Sequence, residues 1–201
     1  RDRDVTGVQT CALPIYRSVE MSVVVQKMVR PVSAGVAFTL NPADGDRSTV
    51  AIDSAWGFGE GVVSGEITPD NFLVDKVLFE ISRRNLSRKE VEFRLSDHDT
   101  VEKVDLDDER GGAPSLTDDQ IKAIARLART AERHYGCPQD IEWAVDADLV
   151  DGENVVLLQA RPETVWSKKG PIQVTDGSIP AGDFMASIVS TLVNPLHTRK
   201  P

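Results

Sequence analysis

The sequence predicts an α+β fold in which helices pack on a mainly antiparallel sheet. Short runs of β-branched and apolar residues recur along the chain, separated by polar turns rich in Gly, Pro, Asn and Asp. Short strands joined by such turns favour neighbours that run in opposite directions. Residues 117–136 instead place apolar side chains at helical spacing, and residues 140–162 contain a hairpin signal.

Five segments are predicted to be strands, because each combines β-branched and apolar residues and is bounded by turn residues. They are Val23–Val29, Gly35–Leu40, Thr49–Asp53, Phe72–Asp75 and Val91–Arg94. The break between the first two contains Pro31, and Asn41-Pro42 ends the second.

The segments between these strands are predicted to be loops. Trp56–Gly61 has glycine at positions 57, 59 and 61, which permits positive φ angles or the close approach of a partner. Ser64–Asp70 continues as loop. The basic stretch Arg83–Lys89 is expected to form a solvated face, and the charged stretch Asp105–Gly112 is expected to be a loop.

One helix is predicted after these loops. Thr117 can cap its N-terminus, and Gln120 three residues later completes a capping box. Gly136 suits the position after the last turn, and Pro138 prevents the helix from resuming. Its apolar face, expected to cover the sheet, comprises Ile121, Ile124, Ala125, Ala128, Ala131 and Tyr135.

Residues 140–162 are predicted to form a hairpin. The dipeptide Asp-Gly at 151–152, between alternating apolar runs, favours a two-residue turn. That turn pairs Val150 with Glu153, and counting outward puts Glu142 opposite Arg161. Because side chains alternate between the faces of a strand, the two faces of the hairpin differ in character. The polar face has Asp140, Glu142, Gln159 and Arg161; the apolar face has Ile141, Trp143, Val145, Val156, Leu158 and Ala160.

Two interpretations of the polar face follow from the pattern. It can be a solvated surface with a cross-strand pair of Glu142 and Arg161, worth about 0.2–1 kcal/mol. It can also be an ATP–metal site, since Mg²⁺ prefers carboxylate and carbonyl oxygens together with substrate phosphates. In that case Glu142 and Gln159 supply oxygens, and Arg161 neutralises phosphate charge. Spacing alone leaves both interpretations open.

Several motifs, in order along the chain, resemble the nucleotide-binding domain of the phosphoenolpyruvate synthase and pyruvate, phosphate dikinase family, which also includes rifampicin phosphotransferase. They are Val25–Val29, Ser33–Thr39 with Asn41-Pro42, Ser54–Glu60, Val63–Gly65 with Thr68–Asp70, Asp140–Trp143 and Leu157–Pro162. The resemblance spans about Glu20 to Trp166. Each motif alone is weak, but together and in this order they are specific.

The resemblance implies an ATP-grasp-like domain, of which this chain holds the C-terminal part, with nucleotide between two α+β subdomains. It implies that Glu142 and Gln159 hold Mg²⁺ and that Arg161 contacts the phosphates of ATP, acting in catalysis. Asp140 would support the site from the same face. It also places Gln26 near the adenine or ribose, although a solvent-facing strand residue is the alternative for this position.

The glycine-rich segment has two interpretations under the same resemblance. Glu60 and the adjoining glycines either shape the phosphate end of the site or form a purely structural turn. The three histidines, His98, His134 and His197, have no context that matches a phosphorylated histidine, so we expect them to lie on the surface.

The reaction implied by the resemblance moves a phosphoryl group from ATP to a histidine of a separate swivelling domain, and then to an acceptor. Positioning and charge neutralisation dominate such transfers. Pyruvate is the expected acceptor, and phenol (as in phenylphosphate synthase) and an antibiotic are alternatives. A non-catalytic nucleotide-binding module and a truncated reading frame without a stable product stay open as well.

Composition excludes other classes of function. The chain has a net charge of −9 and no basic patch, so nucleic acid is not an expected partner. No apolar run is long enough for a membrane span, and no secretory signal is expected. Cys11 and Cys137 show neither metal nor disulfide spacing, which favours a reducing cytoplasm.

The domain organisation is expected to have three parts. Residues 1–16 resemble a translated sequencing adapter, notably in Val5–Ile15, and a natural irregular N-terminus is the alternative. Residues 17–166 form the ATP-binding part, and residues 167–201 form a linker and the start of a following segment, with a short helix at Asp183–Leu192. The half of the ATP site that has the phosphate-binding lysine and arginine is not recognised, so we expect no turnover by this chain alone.

Overall fold

A computed structural model describes residues 24–96, 98 and 100–166 of the chain. The strands are β1 (Pro31–Phe38), β2 (Thr49–Trp56), β3 (Asp70–Asp75), β4 (Ile81–Asn85), β5 (Val91–Leu95), β6 (Val101–Asp105), β7 (Gln139–Asp146) and β8 (Val155–Pro162). The helices are α1 (Glu60–Val63), α2 (Asp108–Gly112) and α3 (Asp118–Tyr135).

Six strands form one antiparallel sheet in the order β4-β3-β2-β1-β7-β8, and β5 pairs with β6 in a separate hairpin. The predicted α+β class with a mainly antiparallel sheet is therefore confirmed. Four of the five predicted strands are present. β1 and β2 are longer than predicted, because β1 begins at Pro31 and β2 continues to Trp56.

α3 covers one face of the sheet, as its sequence predicts. Both hydrogen bonds of the capping box are formed, and Gly136 ends the helix with a φ angle of 70°. Ile121, Ile124 and Ala128 are fully buried against strand residues such as Trp143. Tyr135 was predicted to share this face, but 56% of it is exposed because it lies in the last turn.

The opposite face of the sheet is covered over β1–β3 by the glycine-rich segment, by α1 and by β5. Val62 and Ile67 pack there against Val36 and Phe38 of β1, and Phe93 of β5 joins this second apolar cluster. The sheet face formed by β7 and β8 lies beside this cluster. Since Ile141, Trp143 and Val145 point toward α3, the alternate residues of β7 point to the second face.

The predicted strand Val23–Val29 is wrong for the part that the structure describes. Residues 24–30 are irregular, and Val24 and Val25 are 83% and 95% exposed. A strand needs a neighbour for its N–H and C=O groups, and residues 24–30 pair with no strand within the described residues. At the end of this segment, the Arg30 carbonyl accepts a hydrogen bond of 2.9 Å from the amide of Ala147, the residue that follows β7.

Two loop predictions also need correction. The basic stretch contains part of β4; Arg83, Arg84 and Arg88 are exposed as expected, but Lys89 is fully buried in an ion pair with Asp70. The stretch 105–112 includes the end of β6 and all of α2. These short elements were missed because the five residues of β6 do not alternate between charged and apolar types and α2 has no apolar spacing.

The hairpin of β7 and β8 forms, but its predicted register is wrong. Glu142 pairs with Gln159, and Asp140 pairs with Arg161. The Asp-Gly turn exists, since the Glu153 amide donates to the Val150 carbonyl at 3.0 Å, but the ladder ends earlier, at Asp146 and Asn154. The two strands therefore enclose a longer loop than a two-residue turn.

A β-bulge at Leu158 changes the faces of β8. Trp143 pairs with Leu157 directly after Glu142 pairs with Gln159, so Leu158 is the extra residue. Because a bulge reverses the alternation of side chains, Leu158 and Val156 leave the α3 face on which the sequence placed them. Leu158 lines the same cavity as Glu142.

Some predictions fall outside the described residues: those for residues 1–16, including Cys11, for the linker and short helix in 167–201, and for His197. His98 and His134 are exposed, as expected. Within the described residues, no helix is long and apolar enough to cross a membrane.

Candidate functional site

The polar residues of β7 and β8 belong to rows that run across the sheet on its second face. One row consists of Asn71, Asp53, Val36, Glu142 and Gln159, each paired with the next across neighbouring strands. The adjacent row places Phe38, Asp140 and Arg161 side by side. The sheet thus brings all four predicted polar residues of the hairpin together on one face.

A cavity of about 270 Å³ lies over this part of the sheet. One wall is the sheet surface, with Glu142 and Gln159. The other wall is formed by Phe58 and Gly59 of the glycine-rich segment and by the irregular segment 26–29. The remaining lining residues are Pro31, Ala34, Ala144 and Leu158.

A second, much smaller cleft adjoins the cavity at the polar end of the hairpin. Its volume is about 10 Å³, which is about the size of one water molecule or ion. Glu142 and Gln159 line both the cleft and the cavity, so they lie at the junction of the two spaces. The other lining residues are Val36, Phe38, Asp140, Ile141 and Arg161.

The carboxyl of Asp140, which lines the cleft, has a shifted pKa. Burial raises the pKa of its carboxyl to about 7, although Arg161 acts in the opposite direction and Glu163 adds to the rise. Its Oδ1 atom is buried and has no hydrogen-bond partner within the described residues. A carboxyl oxygen in this state lacks the cation or donor that a buried carboxylate requires.

Arg161 is held loosely in the same cleft. Its Nε atom lies 3.9 Å from Oδ2 of Asp140, which is an ion pair but too long for a hydrogen bond. The Arg161 side chain is 30% exposed. A planar cation whose N–H groups are not committed to Asp140 can donate two parallel hydrogen bonds to a phosphate.

The chemistry of the cleft fits a hard divalent cation such as Mg²⁺. Asp140 and Glu142 offer carboxylate oxygens, Gln159 offers an amide oxygen, and the cleft has the size of one ion. Mg²⁺ commonly uses one or two carboxylates and completes its shell with water and phosphate oxygens. The described residues contain no group of three or more His, Cys, Asp or Glu side chains that could hold a metal, so the cleft offers a partial shell that phosphates would complete.

The other two predicted residues differ in position. Gln26 lies in the irregular segment rather than on a strand, and it lines the cavity together with Glu142 and Gln159. Glu60 begins α1 and is exposed, whereas Phe58 and Gly59 are the members of its segment that line the cavity.

Asp53 is a polar residue of this face that the sequence did not indicate. Asn71 donates to its Oδ1 atom at 2.7 Å, and burial raises the pKa of its carboxyl. No sequence signal distinguishes it, since one acid within an apolar run looks like an ordinary strand residue. Phe58 was likewise missed, because the glycine-rich motif that contains it was interpreted through its glycines alone.

Comparison with known proteins identifies the family to which the chain belongs. The model of the family described as pyruvate phosphate dikinase, AMP/ATP-binding domain, matches residues 12–178. A phosphoenolpyruvate synthase of Aeropyrum pernix is 43% identical over 74% of this chain and 21% of its own length. The phosphoenolpyruvate synthase of Pyrococcus furiosus is 40% identical over 77% of this chain and 19% of its own length.

A relative named for a different activity is the prodigiosin synthesizing transferase PigC of Serratia marcescens, 43% identical over 77% of this chain and 17% of its own length. The chain spans about a fifth of the length of the curated relatives it matches.

These matches define an ATP-binding module of the dikinase type. The chain belongs to the family of the pyruvate phosphate dikinase AMP/ATP-binding domain.

Proposed function

We propose that the cavity binds ATP and that the adjoining cleft holds Mg²⁺ next to its phosphates. The observation that carries this proposal is the position of Glu142 and Gln159, which line both spaces. A nucleotide in the cavity would have to present its phosphates at this junction to share a cation with the two side chains. A solvated sheet surface would not need an ion-sized cleft between such groups.

The composition of the cavity supports one orientation of the nucleotide. The bulge at Leu158 turns Leu158 toward the cavity, which Ala144 and Phe58 also line, whereas Gln159 and Arg161, one and three residues further along the strand, line the cleft. The site therefore has apolar groups in the cavity and a concentration of polar groups at the adjoining cleft. We place the base at the apolar end, near Gln26, and the phosphates toward Arg161.

The residues of the cleft would act together on the phosphates. Glu142 and Gln159 would hold Mg²⁺ with support from Asp140, and the ion, when bound, neutralises phosphate charge. Arg161 would donate hydrogen bonds to the phosphoryl group during its transfer. It would therefore be the catalytic residue of this chain. Val36 and Phe38 add apolar surface to the lining of the cleft.

We further propose that residues 17–166 are the C-terminal part of an ATP-grasp domain and that the chain serves a phosphoenolpyruvate synthase-like phosphotransferase. The phosphoryl group would pass from ATP to a histidine of a partner domain, and an acceptor domain would transfer it to pyruvate or a similar acceptor. These domains belong to the same or a partner polypeptide. A cytoplasmic location is part of the same proposal.

The test is the affinity of the chain for ATP with and without Mg²⁺, measured by titration calorimetry. We expect binding that depends on Mg²⁺ and that weakens in Glu142→Gln. A charge-assisted contact is worth about 1.5–3 kcal/mol, so the loss should be roughly 10- to 150-fold.

The control is Glu153→Gln, which makes the same chemical change at an exposed position of the β7–β8 loop. It should bind Mg-ATP like the unaltered chain. If Glu142→Gln also binds within twofold of the unaltered chain, the metal role of Glu142 is wrong. If adenosine binds as tightly as Mg-ATP, the phosphate end of the site is wrong.

A further inference from the structure

A fully buried ion pair lies on the α3 side of the sheet, away from the cavity. Nζ of Lys89 donates to Oδ1 of Asp70 at 2.7 Å, and neither side chain is exposed. Oδ1 also accepts from the Ser87 amide at 3.0 Å, and Oδ2 accepts from the amide and hydroxyl of Ser115 at 2.8 and 2.7 Å. The carboxylate is therefore fully satisfied, so its position is fixed by four donors.

This pair anchors the start of the β5–β6 hairpin. Lys89 lies two residues before β5, and its amide donates to the Gly111 carbonyl at 3.0 Å. The hairpin is outside the six-stranded sheet, so it has no ladder of its own to that sheet. Asp70, by contrast, is the first residue of β3 within the sheet. Lys89 thus fixes where the hairpin begins relative to the sheet.

β5 in turn holds the glycine-rich segment through Phe93. The Phe58 amide donates to the Phe93 carbonyl at 2.7 Å, and Gly57 forms a bridge with Phe93. The fit is close, because a Cβ atom at Gly57 would lie 2.0 Å from that carbonyl oxygen and one at Gly61 would lie 3.0 Å from the Phe93 ring. A shift of Phe93 therefore has to move Phe58.

Phe58 and Gly59 form the cavity wall that faces Glu142 and Gln159. We infer that the Lys89–Asp70 pair is a positioning device for this wall: it sets the place of β5, and β5 sets the place of Phe58. Lys89 is then a positioning residue that acts on the nucleotide site without touching it. The inference rests on the proposed function only where it concerns ATP; the mechanical coupling stands on the contacts of this chain.

The experiment compares Lys89→Met with Ile124→Ala by hydrogen exchange, followed by nuclear magnetic resonance, and by Mg-ATP titration. Ile124 is fully buried on the α3 face and belongs to the other apolar cluster, so its variant controls for lost stability. Both variants are measured at temperatures equally far below their own midpoints of unfolding. If Lys89→Met does not fold, the double variant Asp70→Asn/Lys89→Met, which leaves no lone buried charge, replaces it.

We expect Lys89→Met to accelerate exchange of the Phe58 amide by at least about tenfold relative to the α3 amides, because local opening governs such exchange. Its affinity for Mg-ATP should fall by about tenfold or more, which is about 1.4 kcal/mol. Ile124→Ala should change neither by more than twofold.

Unchanged exchange at Phe58, or accelerated exchange with unchanged affinity, would overturn the inference, and so would an equal effect of Ile124→Ala. If the unaltered chain does not bind Mg-ATP, the proposed function fails, but the exchange at Phe58 still decides whether Lys89 positions the cavity wall.

Discussion

Replacement of Asp140 by Asn should make the protein more stable at alkaline pH. In the folded chain, burial raises the pKa of the Asp140 carboxyl from its usual 3.8 to about 7. A group whose pKa is raised by folding contributes stability below its unfolded pKa, and this contribution is lost as the pH rises through the folded pKa. The unaltered chain should therefore lose this stability between about pH 4 and somewhat above pH 7.

The magnitude follows from the same shift. A rise of about three pKa units corresponds to about 4 kcal/mol, since each unit is worth about 1.4 kcal/mol. The side chain is only 17% exposed, so water screens this charge little. Asp140→Asn cannot ionise, and so it should match the unaltered chain near pH 4 and exceed its free energy of unfolding by up to about 4 kcal/mol at pH 8.5.

The assay is urea unfolding of both proteins between pH 4 and 8.5, in buffer without divalent cations. The other acids are common to both proteins. The difference between the two free energies of unfolding therefore reports the contribution of Asp140. Asp148→Asn, at an exposed loop position, serves as the control and should show no such trend. A difference that does not change with pH, or an Asp140→Asn variant that is less stable than the unaltered chain at pH 8.5, would refute the reasoning.

Three further predictions concern the stability of the chain and its affinity for nucleotides. Thr117→Ala removes the capping box and should lower the free energy of unfolding in urea by about 1 kcal/mol. Gly57→Ala should lower the midpoint of thermal unfolding more than Gly152→Ala does. Both glycines have positive φ angles, but only at position 57 would a new Cβ lie 2.0 Å from the carbonyl oxygen of another residue. Equal losses in the two variants would contradict this reasoning. Arg161→Ala should weaken ATP binding by roughly tenfold or more and leave adenosine binding within twofold, because the guanidinium is expected to contact phosphate.

Local signals in the sequence predicted α3 because everything that defines its ends lies within the helix itself. Thr117, Gln120 and Gly136 fix the caps whatever packs against them. Lys89 is the opposite case. Its burial depends on Asp70, which lies 19 residues earlier in the chain, and on Ser115 beyond the next hairpin, so a basic stretch looked like a solvated face.

The polar face of the hairpin was predicted correctly although its register was not. The observed pairing of Glu142 with Gln159 differs by two residues from the predicted pairing with Arg161. A shift of two keeps every side chain on its face, because strands alternate with a period of two. The bulge at Leu158 adds a single residue, and therefore the predictions for Leu158 and Val156 failed while those for Gln159 and Arg161 did not.

The roles of Gln26, Glu142, Gln159 and Arg161 in nucleotide binding stay predictions that the experiments above address. Sequence patterns could not decide between a binding site and a solvated surface. The feature that supports a binding site, a cavity that meets an ion-sized cleft, requires Phe58, the segment 26–29 and β7 to meet in space.

The two walls of the cavity differ in stiffness. Glu142 and Gln159 lie on strands that are hydrogen-bonded to each other, and β7 is bonded to β1 as well, so their spacing is set by the sheet. The facing segment 26–29 pairs with no strand in the part of the chain that the structure describes, and it is largely exposed. A bound molecule would therefore meet a rigid row of polar groups on the sheet and an adaptable cover at segment 26–29. Such a pocket should discriminate strictly by the number of phosphates and tolerantly by the shape of the base.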